Sequence, residues 1–177
     1  MLISGGKWKG RRIKGKTKDH VRPTSQLVRQ ALFNILKNTI TDAHFIDCFA
    51  GSGLVGIESM SRGASRVTFV EKDGHQCRSI KQNCEVFEVA DRYVINRDVF
   101  FYFKRCSYQC DIIFFDPPYP LYDDVEKINI LLENSMLICK KVVVFEHPKT
   151  FTFNEIPRWT HKIYIYGDTA LSFFFAE

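Results

Sequence analysis

The strongest constraint on how this chain folds is a regular alternation of short apolar runs with amphipathic stretches. Runs near residues 44–49, 66–71, 93–97, 111–115 and 141–146 have the length of strands, and the intervening stretches near 53–62, 74–87, 99–105 and 123–134 carry apolar residues at helical spacing. A further amphipathic face, made of Leu27, Val28, Ala31, Leu32, Ile35 and Leu36, precedes the first run, with Pro23 and the hydroxyl of Thr24 as its start signals. Parallel strands need crossover connections, so repeated βα units predict an α/β fold with a mostly parallel sheet covered on both faces. The ending differs. Two strand-like runs, 160–166 and 170–176, flank Gly167-Asp168-Thr169 and predict a C-terminal antiparallel hairpin. At 177 residues the chain has room for about one domain, taking roughly 150 residues as typical.

Several classes are excluded at once. Hydrophobic residues make up 45% of the chain, enough to fill a core, so global disorder is ruled out. The longest apolar runs, such as Ile112 to Phe115 and Val142 to Phe145, fall far short of the roughly 20 residues that cross a bilayer. Met1 to Lys7 has no apolar stretch of the kind a secretory leader carries, so the cytoplasm is the expected location. Cys48, Cys77, Cys84, Cys106, Cys110 and Cys139 are scattered without zinc-site spacing, and are expected to be buried, reduced thiols with no metal bound.

Charge is distributed unevenly. Residues 1–30 hold nine Lys and Arg against Asp19 alone, a net of +8, whereas the whole chain is +5 and the remainder therefore −3. A basic N-terminal extension on a mildly acidic body separates polyanion binding from small-molecule chemistry, because phosphate contacts supply affinity without reading a base. Trp8 and the glycines Gly5, Gly6 and Gly10 are interleaved with the charges, as in a hairpin that tracks a nucleic-acid backbone. Residues 1–22 are thus expected to form a nucleic-acid-binding arm, with Lys7, Lys9, Arg11, Arg12 and Arg22 on phosphates, and residues 23–177 the α/β domain. The alternative is a solvated tail.

The chemistry begins at Asp47-Cys48-Phe49-Ala50-Gly51-Ser52-Gly53-Leu54-Val55-Gly56, a glycine-rich turn between the first strand and a helix. Gly51, Gly53 and Gly56 match a dinucleotide fingerprint, and Glu71 stands 20 residues past Gly51, where an acid would hold ribose hydroxyls. Asp47 argues against NAD, because a carboxylate over the turn repels a pyrophosphate. A zwitterionic or cationic ligand fits better. The Asp-x-x-x-Gly-x-Gly pattern resembles the first motif of S-adenosylmethionine-dependent methyltransferases, which implies Asp47 beside the methionine end, Glu71 on the ribose hydroxyls and Asp98 on the adenine amino group.

A second group, Asp116-Pro117-Pro118-Tyr119, follows the fourth strand. The exocyclic amine of a nucleobase is a poor nucleophile because its lone pair is delocalised into the ring. Asp116 and the backbone carbonyl of Pro117 can each accept one N–H, turning that lone pair toward an incoming methyl group. The prolines stiffen the loop so that both acceptors are in place before the base arrives. Tyr119 supplies a flat face on which a flipped-out base can stack.

Taken with Gly5 to Arg12, Arg22-Pro23-Thr24, Val28 to Leu36, Gly56-Ile57-Glu58, Ser61 to Ala64, Glu146 after the fifth strand, and Tyr166 to Ser172, these motifs resemble the bacterial RsmD-type family of 16S rRNA guanine-N2 methyltransferases over nearly the whole chain. Met1-Leu2 and Gln30 depart from the family's usual arginine and glutamate. The resemblance implies a seven-stranded Rossmann-like class I methyltransferase domain, S-adenosylmethionine as cofactor, and a guanine in small-subunit rRNA as substrate. The rivals are a DNA adenine-N6 methyltransferase, an NAD-dependent oxidoreductase, and a ribosome assembly factor without catalysis.

Overall fold

The computed structural model describes residues 1–14 and 25–177. Helix α1 (Gln26–Ile35) leads into β1 (His44–Cys48), α2 (Leu54–Ser61), β2 (Arg66–Glu71), α3 (Gly74–Val86), β3 (Arg92–Asn96), α4 (Val99–Phe103), β4 (Cys110–Phe115), α5 (Val125–Met136), β5 (Cys139–Pro148), β6 (Trp159–Tyr166) and β7 (Thr169–Ala176). Each element lies within two residues of its expected position. Two local expectations are corrected. Ser25 caps α1 by accepting from the Val28 amide at 3.2 Å, Thr24 falling outside the described residues. Glu146 lies inside β5 and not after it, because pairing with β7 extends that strand to Pro148.

The seven strands run in the order β3-β2-β1-β4-β5-β7-β6, parallel from β3 to β5 and antiparallel through β7 and β6. Ile112, Ile113, Phe114 and Phe115 of the central strand β4 are completely buried, as a parallel strand covered on both faces requires. Side chains alternate between two apolar layers. Phe45, Val67, Phe69, Phe114 and Val144 join α1, α2 and α3 on one face, while Ile46, Val70, Phe115 and Phe145 join α4 and α5 on the other. Among the described residues no helix is long and apolar enough to cross a membrane. All six cysteines are free; five are buried and Cys106 is half-buried.

Residues 1–14 are docked on the α1–α2 face. Ile3, Trp8 and Ile13 belong to its core, and Trp8 packs 5.3 Å from the Phe87 ring. The backbone doubles back, with the Ile3 amide donating to Arg11 O and the Ile13 amide to Met1 O. A Cβ on Gly6, whose φ is +76°, would come within 1.9 Å of Ser61 O, so only glycine fits that approach. Beneath this segment Glu58 of α2, fully buried, accepts from the Ser4 amide and hydroxyl, from Arg29 Nε at 2.6 Å and from Arg62 at 2.8 Å. One carboxylate thereby ties the N-terminal segment to α1 and α2. The boundary expected at residues 22 and 23 lies outside the described residues.

Candidate active site

The chain runs outward from β1 through β2 to β3 and then crosses to β4 on the other side of β1. At such a reversal the connections leave in opposite directions, opening a crevice beyond the carboxyl ends of β1 and β4. Both motifs found in the sequence end there.

The glycine turn is held in an unusual conformation. Gly51 and Gly53 have φ of +52° and +76°, and Phe49, a bulky residue, has φ of +59°. Positive φ at phenylalanine is a costly backbone state, and such states cluster where a site over-determines the chain. No residue pattern marked Phe49 in advance. Gly53 caps α2, and a Cβ there would meet Ile80 at 3.0 Å and Phe69 at 3.2 Å. Gly56 has a packing role: a Cβ would come within 2.3 Å of the Phe69 ring, so its absence lets α2 lie close on β2.

Asp47 lies beneath the turn and not over it, only 2% exposed, and its carboxylate accepts from the Gly56 amide at 2.8 Å. Strand alternation points it at the first turn of α2, whose amides have no partner within the helix. Burial pushes its pKa well above the usual carboxylate range, with Asp116 and Glu71 adding to the rise and the Gly56 amide opposing it. Glu71 and Asp116 are both half-buried at the crevice. Glu71 accepts from the Gly51 amide at 2.9 Å and, through its other oxygen, from Asp73 at 2.8 Å, which fixes the carboxylate against the turn. Asp98 caps α4 by accepting from the Phe100 amide at 2.9 Å, beyond the end of β3. Negative groups at successive strand ends and a turn with no lysine or arginine suit a cationic ligand with hydroxyls. They do not suit a phosphate.

The Asp116 loop leaves β4 across from this turn. Its Pro117 is buried, and Tyr119 opens a short 3-10 helix that ends at Asp123. Tyr119 is 40% exposed, and its hydroxyl shares a 2.7 Å hydrogen bond with Thr169 of β7. Tyr122 packs edge-on against Tyr119 and donates to the Glu146 carbonyl at 2.7 Å. The loop is thus clamped to β5 and β7, partners that the tetrapeptide alone did not reveal.

The cations form a separate face. Lys7, Lys9, Arg11, Arg12 and Lys14 are exposed while the apolar side of their segment is buried. Arg11 lies 4.4 Å over the Phe87 ring and Lys7 4.3 Å over Trp8, which restrains both charges. Met1 Sδ accepts from Ser52 Oγ in the glycine turn at 3.7 Å, so the segment reaches the rim of the crevice. Arg22 lies outside the described residues.

Known proteins resemble this chain in sequence and fold. The model of a family described as conserved hypothetical protein 95 matches residues 1–175. Ribosomal RNA small subunit methyltransferase D of Escherichia coli K12 is 33% identical over 144 residues, covering 81% of this chain and 73% of the relative. The protein of that name from Haemophilus influenzae is 32% identical over 162 residues, covering 89% and 84%. The solved structure of the yhhF protein from Escherichia coli superposes with a TM-score of 0.85 at 29% identity, covering 100% of this chain and 98% of that one.

Proposed function

The chain belongs to the conserved hypothetical protein 95 family, the RsmD-type family, and on that premise we propose that it is an S-adenosylmethionine-dependent rRNA methyltransferase acting on N2 of a guanine in 16S rRNA. The observation that carries this reading is the Asp116 loop, clamped by Tyr119 and Tyr122 beside a glycine turn lined with carboxylates.

Glu71 is suited to ribose hydroxyls and Asp98 to an adenine amino group, with Gly51 and Gly53 letting the backbone approach between them. Asp47 holds the helix that shapes the methionine end. S-adenosylmethionine, when bound, supplies a methyl group on a sulfonium that departs as a neutral thioether. Asp116 and the Pro117 carbonyl accept the two N–H bonds of the target amine and localise its lone pair, which forms the new N–C bond. The nitrogen then sheds one proton to the Asp116 carboxylate and is neutral again. Tyr119 gives the extruded base a stacking surface. No enzyme nucleophile is needed.

The test is to incubate unmethylated small subunits and, in parallel, unmethylated DNA with labelled S-adenosylmethionine and analyse the nucleosides by mass. N2-methylguanosine is the expected product. Label in adenine of DNA, or none in any substrate, overturns the reading in favour of the DNA enzyme or the inert assembly factor. Calorimetry separates the cofactors: S-adenosylhomocysteine binds and NAD does not, and comparable NAD binding would count against the carboxylate-lined site.

The basic face is assigned to rRNA phosphates, probed in the cytoplasm within the small subunit. Such contacts position the RNA without choosing the base. Replacing Lys7, Lys9, Arg11 and Arg12 together with Ala removes up to four of them. At about 0.7 per single-strand phosphate, the slope of log K against log salt should flatten by up to roughly 3 units. Binding of S-adenosylhomocysteine should not change. An RNA-binding slope equal to that of the wild type would place the contact surface elsewhere.

A further inference from the structure

We infer that Glu146 is the residue that selects guanine, accepting the N1–H of the target base beside the amine held by Asp116; the inference rests on the proposed N2 chemistry.

Strands β4 and β5 are parallel neighbours, and Phe115 pairs with Phe145. Asp116 is the first residue past the end of β4 and Glu146 the next along β5, so the two directly follow paired positions on neighbouring strands. Alternation sets the face. Phe115 and Phe145 point into the α4–α5 layer, whereas Phe114 and Val144 point into the other, so residue 146 belongs to the face that also carries Asp47. Tyr122 reports on both carboxylates: after burial, Asp116 and Glu146 are the next causes that hold its hydroxyl well above the usual tyrosine range. Glu146 is 5% exposed, and glutamate is seldom buried to that extent. Its backbone is fixed on both sides, by β7 through Leu171 and by the Tyr122 hydroxyl. A carboxylate on a rigid strand is held more closely than one on a loop.

The chemistry of the base completes the argument. Guanine offers three adjacent N–H donors: N1–H and one N2–H on its Watson–Crick edge, and the second N2–H beside them on the N3 side. Asp116, the Pro117 carbonyl and Glu146 make three acceptors. Adenine and cytosine present a ring-nitrogen acceptor next to their amine, and a carboxylate facing that atom is repelled. A site whose buried polar groups lose their partner discriminates strongly against the analogue.

The test crosses enzyme with substrate, in subunits reconstituted with guanine or 2-aminopurine at the methylated position. 2-Aminopurine keeps the N2 amine and lacks the N1 proton. Wild type should prefer guanine by at least about a hundredfold in kcat/KM. Glu146→Ala should bring that preference to within a few-fold, by slowing guanine and relieving the repulsion of the 2-aminopurine ring nitrogen. Loss of the O6 carbonyl affects both enzymes alike and cancels in the ratio. Glu146→Gln, of the same shape, serves for the same ratio if the alanine variant does not fold. A variant that slows both targets equally, or keeps the full guanine preference, overturns the inference. If wild type makes no N2-methylguanosine, the proposed function itself has failed, and that result is visible before any variant is made.

Discussion

An Asp116→Ala variant will turn over at least about a hundredfold more slowly than the wild type, while binding S-adenosylhomocysteine within a few-fold of it. The rate loss follows from removing a preorganised acceptor at the reacting amine, where one such group is worth two to three orders of magnitude. Cofactor affinity is spared because the groups assigned to it, Glu71 and the turn at Gly51, hold each other without help from Asp116. The surrounding clamp also survives, since Tyr119 and Tyr122 bond to Thr169 and the Glu146 carbonyl. Single-turnover kinetics and calorimetry on one preparation check both halves. Near-normal turnover would remove Asp116 from the chemistry, and loss of the folded state would make the loop a packing element.

Glu58→Gln should destabilise the protein by about 3–5 kcal/mol, because it strips the charge that two arginines share in a buried place. For a chain of this length that is a fall in melting temperature of roughly 6–20 °C. The wild type carries the same dependence as a pH effect. Burial alone would raise the Glu58 pKa, but bonds from Ser4, Arg62 and Arg29 outweigh it and the pKa is lowered. A carboxyl whose pKa is lower folded than unfolded binds more protons when unfolded. Its stabilisation is complete above the unfolded value of about 4.3 and is lost as pH falls through the folded value. Denaturant titrations should show wild-type stability declining below about pH 4.3 more steeply than that of Glu58→Gln. Parallel curves would mean that the Arg29–Glu58–Arg62 cluster contributes nothing through ionisation. Because Ser4 is among its members, the variant should also loosen residues 1–14, detected as faster amide exchange at Ile3 and Lys7.

Local pattern determined the elements. Apolar periodicity, with turn and capping signals, located the seven strands and five α-helices of the described residues to within two residues, because alternation at period two or near 3.6 records which side of a segment meets the core, and that is decided by residues close in the chain. The glycine turn and the Asp116 loop were legible as motifs for the same reason, each being made of consecutive residues. What each side chain touches was decided by tertiary structure. Asp47 looked like a carboxylate over the turn, but in the fold it is buried and accepts from the Gly56 amide of α2. The basic arm showed its charges, yet its docking through Ile3, Trp8 and Glu58 depends on contacts more than fifty residues apart. Glu146 follows the strand partner of Phe115 only because β5 pairs with β4, and Thr169 reaches Tyr119 only because β7 returns alongside β5. Strand order and register minimise the free energy of the whole packed sheet. No segment carries that information by itself.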